Sequence, residues 1–231
     1  MDGQLLKMIE EGLVEKILLE SKNPHDPVIV KNIPDGWKCI GTGNYAAVFS
    51  HATCPGLAVK VIRENTEDLK KEAKVYKQLG DHPAYSKCFY HGPNYLVLKK
   101  LKGITLYDAI AKGIRIPASV IGDINEALLF ARKSGLNPYD VHAKNVMMKD
   151  GRGYVVDVSD FYKEGKDEKW DDFVKAYQKI YLKTLYKHPV KIPYKVLNFI
   201  RHAYRFYKNL KHKRSQKRKH ASNLSAYHRQ N

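Results

Sequence analysis

The sequence predicts an α+β fold of two lobes, a β-rich first half followed by a helical second half. Between Trp37 and about Leu98, short apolar runs of strand length alternate with turns rich in Gly, Pro and Asn. After Gly103, apolar residues recur at helical spacing in segments closed by glycine. The 231 residues, 43% of them hydrophobic, are enough for one small two-lobed unit with its own core.

In chain order, Leu5, Leu6, Ile9, Leu13, Ile17 and Leu18 lie at helical spacing, so an amphipathic helix is expected over residues 4–19, ending near Ser21. Pro24, Pro27 and Pro34 then divide the chain into extended and turn pieces. Ile40 leads into the turn GTGN, Ala46–Ser50 leads out of it, and GLAVKVI reads as a buried strand. Thr66–Leu79 reads as a helix with Leu69, Ala73, Tyr76 and Leu79 inward. KCFYH and NYLVLKK, on either side of a Gly-Pro turn, pair antiparallel. TLYDAIAKG and SVIGDINEALLFARKSG are helices, NPYDVHAKN is a loop, and NVMMKDGRGYVVDV is a hairpin turning at Asp-Gly.

Helices resume at Trp170–Tyr186 and Tyr194–Leu210. On the second, Val196, Leu197, Ile200, Ala203, Tyr204 and Tyr207 are expected to pack on the body, with Arg201, Arg205 and Lys208 largely opposite. The chain thus divides into a helical and extended lead-in (1–35), a β-rich lobe (36–101), a short helical lobe (102–210) and a basic tail (211–231), expected to be mobile.

Composition excludes several classes. The apolar content argues against disorder, and no apolar run is long enough to span a bilayer. The first twenty residues carry acids within their apolar stretch, unlike a secretory signal. Cys39, Cys54 and Cys88 are odd in number and widely spaced, which suits a reducing, cytoplasmic setting rather than a disulfide framework or a zinc site. The net charge of +17 is concentrated at one end. Residues 1–172 hold 25 basic and 24 acidic side chains, whereas residues 173–231 hold 16 basic and none acidic. A solvated helix face explains part of that charge, but the run KHKRSQKRKH suits a polyanion: nucleic acid, ribosome or an anionic membrane surface.

The chemistry-bearing residues lie in the nearly neutral body. In GTGNYAAV, Gly41 and Gly43 stand between two strands, where backbone N–H groups can approach phosphate oxygens closely. Lys60 sits inside an apolar strand, where an unpaired ammonium is costly, and Glu72 in the next helix is its candidate partner. Asp140 and Asn145 share a loop, and Asp157 ends the following strand. The Asn145 and Asp157 oxygens suit magnesium, and Asp140 stands near enough in sequence to accept a hydroxyl proton.

In this order, the segments over roughly residues 36–186 resemble the protein kinase-like superfamily. The resemblance makes GTGNYAAV the phosphate loop, through Gly41, Thr42, Gly43, Asn44, Ala46 and Val48, with Ala46 where a third glycine usually stands. It makes Lys60 the ATP-positioning lysine and Glu72 its holder, Leu98 the gatekeeper, and Lys99, Lys100 and Leu101 the hinge beside adenine. Asp140 becomes the catalytic base, and Asn145 and Asp157 ligands of Mg2+, or of Mn2+ in its place. ATP is the implied nucleotide, and a serine/threonine protein kinase the implied enzyme.

The departures narrow the resemblance. Pro138 and Tyr139 replace the His-Arg that precedes the catalytic aspartate, so activation by loop phosphorylation is not expected. His142 stands where serine/threonine kinases carry lysine and resembles the aminoglycoside phosphotransferase branch. Val158 and Ser159 replace Phe-Gly, and a helix follows too soon for a long peptide-binding loop. The whole is similar to small bacterial serine/threonine protein kinases with a shortened C-lobe. Its rivals are a small-molecule kinase of the same fold and a pseudokinase-like, polyanion-binding adaptor.

Overall fold

A computed structural model describes residues 2–24, 26–63, 66–208 and 210. The chain begins with helix α1 (Gly3–Ile9), whose Asp2 carboxylate accepts the Gln4 N–H, and one π-helical stretch continues it over Glu10–Val14. The expected helix over 4–19 therefore stops early. Strand β1 (Leu18–Glu20) pairs antiparallel with β2 (Ile29–Lys31), and Lys31 meets Glu20 at 2.8 Å. Pairing with β2 overrides the helical spacing: it turns Leu19 into the core and leaves Leu18 47% exposed.

Five antiparallel strands follow in the order β3-β4-β5-β7-β6: β3 (Trp37–Thr42), β4 (Ala46–His51), β5 (Leu57–Ile62), β6 (Cys88–His91) and β7 (Tyr95–Lys99). Alternation along β5 assigns its two faces. Val59 and Val61 join Ile9, Leu13, Trp37 and Phe49 in a core beneath the N-terminal helix. Ala58 and Ile62 point the other way, into the core shared with α2 (Thr66–Leu79) and the second lobe. Lys60 lies between them in the alternation, so it faces α2 and the cleft.

The polypeptide crosses to the second lobe through residues 99–103. Gly103, at φ +151°, closes the crossing where a β-carbon would lie 2.5 Å from the Met148 carbonyl oxygen. Strand β8 (Ile104–Thr105) leads into α3 (Leu106–Lys112), whose Thr105 hydroxyl accepts the Asp108 N–H at 3.0 Å. After α4 (Ala118–Lys133), β9 (Val146–Lys149) and β10 (Arg152–Val155) form the expected hairpin, with Asp150 and Gly151 both at positive φ. The lobes are tied behind the cleft, where Val155 N–H donates to the Ala84 carbonyl at 2.9 Å and the Tyr85 hydroxyl to that of Ala127 at 2.7 Å.

The helix expected over Trp170–Tyr186 is shorter: α5 (Lys169–Lys179) gives way to a 3-10 turn at Tyr181–Lys183. A last helix, α6, spans 194–208 and is rotated from the expected orientation: of the six residues expected inward, Leu197 and Tyr204 are half-buried, whereas Val196, Ile200, Ala203 and Tyr207 are exposed. Polar bonds fix it to the body: Tyr194 donates to Asp108 with its ring against Tyr107, Asn198 accepts the Tyr107 hydroxyl, Tyr204 donates to Asp172, and Lys208 meets both Glu168 and Asp172. Val196, Ile200 and Tyr207 face solvent instead. Carboxylates on the segment 168–172 capture the basic and hydroxyl side chains, and that outweighs burial of the apolar face. The tail 211–231, assigned to polyanions, lies outside the described residues.

Candidate active site

The cleft between the lobes is built from four places in the chain. At its roof, the Gly43 N–H donates to the Ala46 carbonyl at 2.8 Å and closes the glycine turn. Gly41, Thr42 and Gly43 are exposed, and a β-carbon on Gly41 would meet nothing within 4 Å, so the approach to this backbone is open. Asn44 lies at the tip, while Ala46 and Val48 are half-buried on the cleft side of the sheet.

Beneath the roof, the Lys60 ammonium lies 2.8 Å from both Glu72 carboxylate oxygens and 3.4 Å from Asp157 Oδ1. Three separate elements therefore converge on one ammonium. Glu72 belongs to the inward face of α2 with Leu69, Tyr76 and Leu79, and is only 3% exposed. Burial disfavours the Lys60 charge, but Asp157 and Glu72 outweigh it, so its pKa is raised and the ammonium is held. Burial likewise pushes the Asp157 carboxyl up. Lys60 and the Ser159 N–H, 3.1 Å from Oδ1, pull it lower still, so Asp157 is a carboxylate.

At the hinge, Leu98 is buried and pairs with Ala58 across the sheet. Lys99 donates its N–H to Lys87 and accepts the Ser86 hydroxyl on its carbonyl, and Lys100 donates its N–H to Gly56. These bonds occupy Lys99 and Lys100 within the sheet and put Leu101 next along the crossing.

The loop of residues 137–145 is pinned from both sides. Asn137 donates its side-chain amide to the Lys163 and Gly165 carbonyls, and Asp140 takes the left-handed conformation at φ +59°. The Asn145 side-chain amide donates to the Asp140 carbonyl at 3.1 Å, which leaves its Oδ1 as an acceptor. The Val156 N–H donates to the Asn145 carbonyl at 2.9 Å, so Asn145 and Asp157 are held on neighbouring strands of backbone. Among the described residues no group of three or more His, Cys, Asp or Glu forms a metal cage. One carboxylate and one amide oxygen still fit Mg2+, which takes few protein ligands and fills its shell with phosphate and water oxygens.

Two residues here escaped the sequence reading. Lys169, the first residue of α5, lies 2.8 Å from Asp140 Oδ1 and 2.7 Å from Asp167 Oδ2. Asp167 in turn accepts the backbone N–H groups of Asp140 and Lys169. Burial opposes the Lys169 charge, but the two carboxylates raise its pKa. Within KDEKW this lysine reads as one more solvated charge. The available signal is a cation in the first turn of a helix, which the helix dipole disfavours unless a carboxylate is near. His142 sits 3.8 Å from Asp140 Oδ2, and burial lowers its pKa, so the imidazole is neutral at pH 7. The cation beside Asp140 is thus Lys169.

A strand lysine clamped by a helix carboxylate, facing one acid across the cleft and a second acid on a pinned loop, is the arrangement of a kinase-like phosphotransferase. No protein-family model matches the chain. A curated relative does: over 215 residues the chain is 32% identical to a Bacillus subtilis (strain 168) protein named "Putative serine/threonine-protein kinase YrzF", across 91% of this chain and 98% of the relative. The chain belongs to the protein kinase-like superfamily. Among solved structures, a mutant of the Mycobacterium tuberculosis PknI kinase domain overlaps 54% of this chain and 60% of its own, at 19% identity and a TM-score of 0.42. That overlap is too partial to bear on the assignment.

Proposed function

We propose that this protein transfers the γ-phosphate of ATP to a serine or threonine hydroxyl of a protein. The observation that carries the reading is the convergence of Lys60, Glu72 and Asp157, which preforms a site for a phosphate chain. In this reading the glycine turn covers the phosphates through its backbone N–H groups, Lys60 engages their oxygens, and the Leu101 backbone meets the adenine edge. Asp157 and Asn145 hold Mg2+, which when bound neutralises phosphate charge. Asp140 accepts the hydroxyl proton on Oδ2, since Oδ1 is held by Lys169. The acceptor oxygen bonds to the γ-phosphorus, the bond to the β–γ bridging oxygen breaks, and ADP leaves. Lys169 lies where it can offset the charge on the transferring group.

The short segment between Asp157 and α5 favours a second reading, a small-molecule acceptor. Asn137 holds it against the loop of residues 137–145, and Tyr162 donates to Asp68 of α2 at 2.8 Å, so no long peptide platform is built. Incubation with γ-labelled ATP, Mg2+, mixed protein acceptors and a panel of hydroxylated metabolites separates the two. Phosphoserine or phosphothreonine in acid hydrolysates supports the protein kinase. Label confined to metabolites supports the second reading, and no transfer at all leaves a pseudokinase.

A further inference from the structure

The docking of α6 leaves an amphipathic helix with most of its apolar side turned to water. Successive residues of a helix lie about 100° apart, so Val196, Phe199, Ile200, Ala203, Phe206 and Tyr207 share an arc of about 120°. Phe199 is 73% exposed, Phe206 67% and Ile200 55%. An arc of that width ordinarily faces a core. Here the opposite side of the helix is fixed to the body by Asn198, Tyr204 and Lys208, so rotation to bury the arc would break those bonds. Lys195, exposed, flanks the arc.

We propose that this face of α6 lies in the surface of an anionic lipid bilayer, parallel to its plane. Charge selects the occupant. No acidic residue follows Asp172, and sixteen basic residues do. A second copy of the chain brings the same positive field to the contact and is repelled. A nucleic-acid duplex satisfies the basic residues but leaves the phenylalanines in water, and a single strand can stack bases on Phe199 and Phe206 but leaves Val196, Ile200 and Ala203 uncovered. An anionic bilayer takes both, receiving apolar side chains at the acyl boundary while its headgroups attract the lysines and arginines. Tyr207, on the arc and with an apolar ring and a polar tip, suits that depth. Among the described residues no helix is long and apolar enough to cross a membrane.

Co-sedimentation of the full chain with phosphatidylcholine vesicles, alone or mixed with phosphatidylglycerol, tests the proposal at low salt and at about 0.15 M. Binding is expected only to the anionic vesicles and is expected to weaken with salt. Phe199→Glu/Phe206→Glu is expected to lower it about tenfold or more, with the thermal midpoint unchanged because both side chains are exposed. Phe199→Ser/Phe206→Ser, which adds no charge, is expected to give a smaller loss. Absence of binding to anionic vesicles overturns the proposal. Equal binding by wild type and both double variants also overturns it, since basic charge alone then accounts for the association. A dimer in solution that the substitutions split would assign the face to a second copy, and an RNA affinity falling with them by the same factor would assign it to nucleic acid.

Discussion

Replacing Lys60 by methionine leaves an unbranched side chain one atom shorter and removes its charge. Glu72, 3% exposed, then loses the ammonium 2.8 Å from both of its oxygens. Removing one partner of a buried ion pair costs about 3–5 kcal/mol. In a chain of this size about 1 kcal/mol shifts the thermal midpoint by about 2–4 °C, so a fall of about 10 °C is expected. The deficit should depend on pH with a definite sign. Without Lys60, burial holds the Glu72 pKa above its ordinary 4.5, so the folded state binds the proton more tightly. Stability is then fully present below pH 4.5 and is lost as pH rises through the folded-state pKa. Lys60→Met/Glu72→Leu removes both charges and should restore the midpoint to within about 3 °C of wild type, but not phosphotransfer. Differential scanning calorimetry across pH, paired with a labelled-ATP transfer assay, reads both effects. A Lys60→Met protein with the wild-type midpoint, or a double variant that regains transfer, would refute the reasoning.

Lys169→Met should lower kcat about ten- to a hundredfold with little change in the KM for ATP, and Lys169→Arg should recover part of the loss; unchanged kcat in Lys169→Met removes the lysine from the reaction. Asp157→Ala should abolish the Mg2+-dependent part of ATP binding measured by isothermal titration, and an equal Mg2+ dependence in the variant contradicts the ligand assignment. His142 has a folded-state pKa below its ordinary 6.5, so its contribution to stability is present above pH 6.5 and lost as pH falls through the folded value. The thermal midpoint should therefore fall less between pH 7 and pH 5 in His142→Asn than in wild type.

The α+β architecture was legible because its signals are local. Strand runs, the Asp-Gly hairpin and the Thr66–Leu79 helix depend on residues near in sequence, and each forms where expected. The Lys60–Glu72 pair was legible for a different reason: a charge inside an apolar strand requires a partner, and few candidates stand nearby. What failed depends on residues far away in the chain. Leu18 fits a helix until β2 arrives to pair with it. The pattern of α6 defines two faces but not which one docks, because Tyr107, Glu168 and Asp172 decide that from elsewhere. Lys169 is one lysine among many until the fold brings Asp140, 29 positions earlier, to within 2.8 Å of it.

In the proposed reaction Asp140 accepts the acceptor proton during a phosphotransfer carried out by this cleft. Transfer from γ-labelled ATP by the intact protein, compared with Asp140→Asn at matched nucleotide occupancy, tests it most directly. Transfer by the wild type is expected, with a fall of about a hundredfold or more in Asp140→Asn and ATP affinity retained. Equal rates in the two proteins, or a wild type that binds Mg2+-ATP and transfers its phosphate to no acceptor, would contradict it.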